Sequence, residues 1–147
     1  MKGVRAFLDT NIFVYLYSGT EPDKCVRISS TINAYHRMVS TQVSNEFCNV
    51  CIRKMKLPVS FIKNAVEEIC ITCELLDVDY STIAKALSIH EKYGYTYYDS
   101  LIITSALDGQ CQYLFSEDMA DGQLIEEQLI IKNILAHDKF GSFCGKN

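Results

Sequence analysis

Four acidic residues stand at the edges of apolar segments, and residues of this type can hold hard divalent cations. Asp9 ends the run VRAFLD, Glu46 lies inside VSNEFCNV, Asp99 opens DSLIITSAL, and Asp118 follows YLFSE. Singly, each has a plain structural use. Asp9 and Asp99 can cap helices. Glu46 can reach from the rim of an apolar face into solvent. Asp118, with Glu117 and Asp121, can form a solvated acidic turn. As a set they fit one chemistry. Mg²⁺ and Mn²⁺ prefer carboxylate oxygens. Several carboxylates gathered at one place repel one another unless a cation sits among them. Such a cation lowers the pKa of a water and neutralises charge developing on a phosphate.

The surrounding patterns say what could position these acids. Val4–Leu8 reads as a short buried strand ending at Asp9, followed by a helix over Thr10–Tyr17 and a loop over Ser18–Asp23 with Gly19 and Pro22. A second helix is expected from Asp23 to about His36, then a strand over Arg37–Ser40 and a helix from Thr41 to about Met55, ended by Lys56-Leu57-Pro58. Further helices are expected over Ser60–Ile71, over Asp79–Tyr93 with Ile83 and Leu87 on one face, and over Tyr98–Leu107. Cys73–Asp77, Tyr113–Ser116 and Leu129–Ile134 read as strands. Strands alternating with helices imply a three-layer α/β/α sandwich around a mainly parallel sheet. Ligands in such folds bind at the carboxyl ends of strands. Asp9 and Asp118 stand at two such ends.

With 147 residues, 48% hydrophobic and 22% charged, the chain can bury one sizeable core. It reads as one domain over 1–147, with the polar tail from about residue 136 frayed. No apolar stretch approaches a membrane span, and the N-terminus MKGVRAFLDTN has no leader-like apolar core, so the expected location is the cytoplasm. The net charge of −4 argues against a module that binds nucleic acid through phosphates alone. It does not argue against a nuclease whose bound cations supply the local positive charge.

Seven cysteines, an odd number, argue against a disulfide framework in such a setting. Cys48-x-x-Cys51 and Cys70-x-x-Cys73 have zinc-ribbon spacing. They lack the Gly and Pro of tight metal-binding turns, and they fall within apolar helix and strand patterns, so buried thiols are the expectation.

FLDTNIFVYL, VSNEF, YYDSLIITSAL and YLFSEDMADGQ occur in an order and at separations that resemble PIN-domain ribonucleases, among them the VapC-type toxins. The likeness covers nearly the whole chain to about Ile134. It implies Mg²⁺- or Mn²⁺-dependent cleavage of RNA, with Asp9, Glu46, Asp99 and Asp118 as the metal-holding catalytic acids. Thr10, Asn11 and Ser116 would orient them. It further implies homodimerisation and inhibition by an antitoxin protein. Many relatives carry another acid soon after the fourth, and here Glu117 and Asp121 compete for that place, with Asp121 the secondary candidate.

Two further groups bear on substrate. Arg53, Lys54 and Lys56 cluster at the end of the Glu46 helix, where they can grip an RNA backbone or simply complement the helix dipole. Tyr93, Tyr95, Tyr97 and Tyr98 crowd the approach to Asp99, where they can stack on bases or pack into the core. His36, His90 and His137 are scattered and read as helix-surface residues. A non-cutting PIN-fold module that binds RNA or protein is the alternative, which the full set of acids disfavours. A haloacid-dehalogenase-type phosphatase would need an aspartate where Asn11 stands.

Overall fold

A computed structural model describes residues 3–136. The expectation of a frayed tail, and His137 and Cys144 with it, lies outside the described residues.

Twelve elements follow one another, all but β5 in the expected order: β1 (Arg5–Leu8), α1 (Thr10–Ser18), α2 (Pro22–Ile32), β2 (His36–Ser40), α3 (Thr41–Arg53), α4 (Val59–Thr72), β3 (Glu74–Leu76), α5 (Tyr80–Tyr93), α6 (Tyr97–Asp108), β4 (Tyr113–Phe115), β5 (Leu124–Ile125) and β6 (Leu129–Lys132). The six strands form one sheet in the order β3-β2-β1-β4-β6-β5, parallel except for the β5–β6 pair. The central strands are apolar on both faces: Ala6, Phe7, Leu8, Met38, Val39, Leu114 and Phe115 are all buried. Strands covered on both faces need helices on both sides. Right-handed crossovers supply them. The path β1–β2–β3 steps one way across the sheet and the return to β4 steps the other, so α1–α4 and α5–α6 fall on opposite faces. The three-layer α/β/α sandwich is therefore present.

The reversal has a functional consequence. Between β1 and β4 the two successive connections leave in opposite directions, which opens a crevice at the carboxyl ends of those strands. Phe7 pairs with Leu114 and Leu8 with Phe115, so Asp9 and Ser116 emerge side by side at that crevice.

Several boundaries differ from the sequence expectations, each for a local reason. The second helix begins at Pro22, which suits the first turn of a helix, and stops at Ile32. His36 thus opens β2, where its ring lies 2.7 Å from Glu74 on β3. Asp99 does not cap α6: the Thr96 hydroxyl accepts from the Asp99 amide, which leaves the Asp99 carboxylate free to project elsewhere. Ile83 and Leu87 share one face of α5, as expected, and that face is exposed; the helix turns Ala86 and Ile89 inward. The last strand is shorter than expected. Its partner β5 went unseen because a two-residue strand has no period to read. The turn joining them is built on Glu126 and Glu127 at positive φ rather than on glycine.

The cysteine pairs do not assemble. Among the described residues, no three His, Cys, Asp or Glu side chains stand as a ready-made metal-binding group. Cys51, Cys73 and Cys111 are buried thiols, Cys25 and Cys48 half-buried, and Cys70 exposed.

Candidate active site

A cavity of about 230 Å³ opens at the β1–β4 crevice, lined by Asp9, Thr10, Asn11, Glu46, Asn49, Val50, Asp99 and Asp118. All four sequence-singled acids thus reach one place from four different elements. A larger cavity of about 280 Å³, lined by Leu16, Cys25 and Ile69 among others, lies elsewhere and is more apolar. The smaller one gathers the four acids.

Asp9 is the innermost acid. It leaves the end of β1, its amide still laddered to the Phe115 carbonyl at 3.1 Å. One carboxylate oxygen accepts from the Thr10 amide at 2.7 Å, the other from the Ser116 hydroxyl at 2.7 Å. The helix-cap reading of Asp9 is realised, because the carboxylate that ends β1 begins α1, and the same residue lines the cavity. Only 6% of the residue is exposed. Burial pushes its pKa up to about 6; the two hydrogen bonds pull it back, and the charges of Asp99 and Glu46 raise it further.

Glu46 lies on α3, which Ser40 caps by accepting from the Val43 amide. Val43, Phe47 and Cys51 anchor the helix in the core and leave Glu46 on its flank. Thr10 Oγ1 donates to one carboxylate oxygen at 2.9 Å and Gln42 Nε2 to the other at 2.9 Å. Asp99 enters from the first turn of α6, half-buried. Burial raises its pKa, the Thr96 hydrogen bond opposes that, and Glu46 and Asp118 add to the rise. Asp118 follows β4, held by Asn11 Nδ2 at 2.7 Å, while buried Met119 pins the loop behind it.

The competition among Asp118's neighbours is resolved by what each touches. Glu117 turns toward α1, where Tyr15 Oη donates to it at 2.7 Å. Asp121 accepts from the Asn133 amide at 2.8 Å, outside the cavity. Neither lines the site. Arg53, Lys54 and Lys56 do not line it either. All three are exposed at the far end of α3, and Lys54 borders a separate cavity with Tyr15 and Met55. Tyr93 and Tyr95 are engaged with the β5 hairpin through Glu126 and Gln123, and Tyr97 is half-buried, so Tyr98, 60% exposed, is the tyrosine with a free face beside Asp99.

Gln42, Tyr15 and Asn49 were not foreseen. Helical spacing carried the signal: Gln42 is four residues before Glu46, Asn49 three after it, and Tyr15 four after Asn11.

The donor set fits a hard divalent cation. It is all carboxylate, which suits Mg²⁺ or Mn²⁺ and not a thiol-seeking metal. The acids line the walls of the cavity and do not converge as a closed cage. Mg²⁺ commonly binds that way, through one or two carboxylates and several waters. Burial first, and then repulsion from the neighbouring acids, raises the pKa of Asp9 and Asp99, and a cation would offset both costs.

A parallel α/β sandwich with carboxylates gathered at its switch point defines a class of acidic-site α/β proteins. The chain belongs within it to the PIN domain family, whose model matches residues 6–120. Solved structures share the fold. A toxin–antitoxin complex from Klebsiella pneumoniae is 15% identical, with a TM-score of 0.64 over 85% of this chain and 95% of that one. The sarcin–ricin-loop-cleaving toxin VapC20 of Mycobacterium tuberculosis is 14% identical, with a TM-score of 0.63 over 77% and 91%. VapBC2 of Rickettsia felis, bound to a DNA fragment from its promoter, is 18% identical, with a TM-score of 0.63 over 88% and 98%. No curated protein matches the sequence significantly.

Proposed function

We propose that the protein is a divalent-metal-dependent endoribonuclease and the toxin of a toxin–antitoxin pair. The observation that carries this reading is the meeting of Asp9, Glu46, Asp99 and Asp118, from four separate elements, in one cavity at the β1–β4 crevice. Family membership and the toxin structures of the same fold support it.

Asp9, Glu46, Asp99 and Asp118 would hold Mg²⁺ or Mn²⁺. Bound there, the cation supplies Lewis acidity, lowering the pKa of a water and offsetting charge on the phosphate. The chain's other residues set the geometry. Ser116 and the Thr10 amide fix both oxygens of Asp9, Thr10 Oγ1 and Gln42 fix both of Glu46, and Asn11 holds Asp118. Three of the four carboxylates, those of Asp9, Glu46 and Asp118, are thereby oriented before substrate arrives, which spares that reorganisation during reaction. Arg53, Lys54 and Lys56 lie at and just beyond the end of α3 and would contact the RNA backbone beyond the scissile phosphate. A homodimer and a cognate antitoxin protein are the proposed partners, by likeness to the toxin–antitoxin complexes.

The test is RNA cleavage by purified protein with Mn²⁺. Asp9→Asn and Asp99→Asn are each expected to abolish it while the circular dichroism spectrum is unchanged. Undiminished cleavage in both variants refutes the site. Expression of the wild type is expected to arrest growth and that of the quadruple acid variant is not; identical growth refutes the toxin role.

A further inference from the structure

One polar side chain in the cavity wall is uncommitted. The hydroxyl of Thr10 donates to Glu46 and the amide of Asn11 to Asp118, so both are spent on orienting carboxylates. The remaining polar liners are the four acids themselves and Asn49. Asn49 is exposed on α3, one turn beyond Glu46, and among the described residues its carboxamide makes no hydrogen bond. Residues three apart on a helix are surface neighbours. Asn49 therefore flanks Glu46 at the open side of the cavity.

A phosphodiester entering this cavity meets a wall of carboxylates. Cations offset their charge, but the phosphate oxygens that face away from the cations still need donors. Arg53 at the end of α3 and Lys54 and Lys56 just beyond it do not line the cavity. A lysine inside it would pair with the carboxylates and compete with the cations. A carboxamide donates without neutralising any acid.

We propose that Asn49 is a substrate-contacting residue whose Nδ2 donates to a non-bridging oxygen of the RNA phosphate held in the cavity. This rests on the ribonuclease reading. Hydrogen bonds to charged groups outweigh neutral ones, so removing one should cost about tenfold in affinity for RNA.

The experiment measures three quantities on wild type, Asn49→Ala and Asn49→Asp. The first is binding of an end-labelled, mixed-sequence RNA oligonucleotide pool in Ca²⁺, by anisotropy. The second is cleavage of the same pool in Mn²⁺. The third is Mn²⁺ affinity without RNA, by calorimetry. Asn49→Ala is expected to bind RNA about tenfold more weakly and to lose at least as much in kcat/KM, with Mn²⁺ affinity and Tm unchanged. Asn49→Asp, of nearly equal size but charged, is expected to lose more RNA affinity than Asn49→Ala while binding Mn²⁺ no more weakly. RNA binding and cleavage by Asn49→Ala within twofold of wild type overturn the inference and leave the ribonuclease reading standing. A fall in Mn²⁺ affinity for Asn49→Ala also overturns it. Wild type that binds the pool without cutting it refutes the ribonuclease reading, and Asn49 is then decided by the binding arm. Wild type that neither binds nor cuts the pool overturns both.

Discussion

Two groups of acids in this molecule meet opposite fates. At the β5–β6 turn, Glu126 accepts from Lys92 Nζ at 2.7 Å and from Tyr93 Oη at 2.7 Å, and its pKa is lowered, chiefly by the Lys92 hydrogen bond. In the cavity at the β1–β4 crevice, Asp9 is buried among other acids with no cationic side chain in the lining, and its pKa rises to about 6. The corner is satisfied by its own chain. The cavity gathers four acids, three of them oriented by hydrogen bonds, with no cationic side chain in its lining. That difference supports the proposed cation site at the crevice, whereas a paired acid is a fastening.

That contrast can be broken at several points. The largest effect is expected from Asp9→Asn, which should reduce Mn²⁺-dependent RNA cleavage to background; residual activity above a tenth of wild type in a steady-state assay would undo the contrast. Next is Ser116→Ala. It removes a hydrogen bond that orients Asp9 and lowers its pKa. Cleavage should fall about tenfold to a hundredfold, and the acid limb of the pH–rate profile should move to higher pH.

Third is the pH dependence of stability without metal. The Asp9 pKa is raised by folding from 3.8 to about 6, so the folded state holds the proton more tightly than the unfolded state. Its contribution to stability is fully present below about pH 4 and is lost as pH rises through about 6. The change is on the order of 2–3 kcal/mol. Asp9→Asn should therefore be more stable than wild type at pH 8 in EDTA, and the difference should vanish near pH 4; denaturant melts at the two pH values check this. Mn²⁺ should raise the wild-type Tm and leave that of Asp9→Asn nearly unmoved.

Smaller effects test the periphery. Gln42→Ala leaves Glu46 held by Thr10 alone, and a loss of several-fold in kcat/KM is expected. Lys92→Met removes an exposed pair, and neither cleavage nor Tm should change beyond the scatter of the measurement.

Much of this architecture was legible because its signals are local. The buried strands at Phe7 and Leu114 and the stop at Gly19 act within a few residues, and those elements form where their patterns place them. The misses lie where local patterns are ambiguous. A run from Asp23 to His36 can continue as helix, but pairing of His36 with Arg5 across β1 and β2 draws that residue into the sheet. Ile83 and Leu87 share a face of α5 as their spacing indicates, but spacing alone does not say which face is covered, and Thr82, Ala86 and Ile89 on another side are the buried ones.

The acids show the same division. The sequence by itself determined which carboxylates stand at strand and helix ends, because apolar runs that must be buried force the first polar residue out at their termini. Only the tertiary structure decided which of them face one another. Glu117, Asp118 and Asp121 are near neighbours in the chain, yet Asp118 lines the cavity, Glu117 is bound by Tyr15, and Asp121 holds the amide of Asn133. The partners that make this choice lie about a hundred residues away in α1 for the first two, and beyond the β5 turn for the third. No pattern within a short window carries such information. It comes from the parallel pairing of β1 with β4, which sets the start of α1 beside the end of β4.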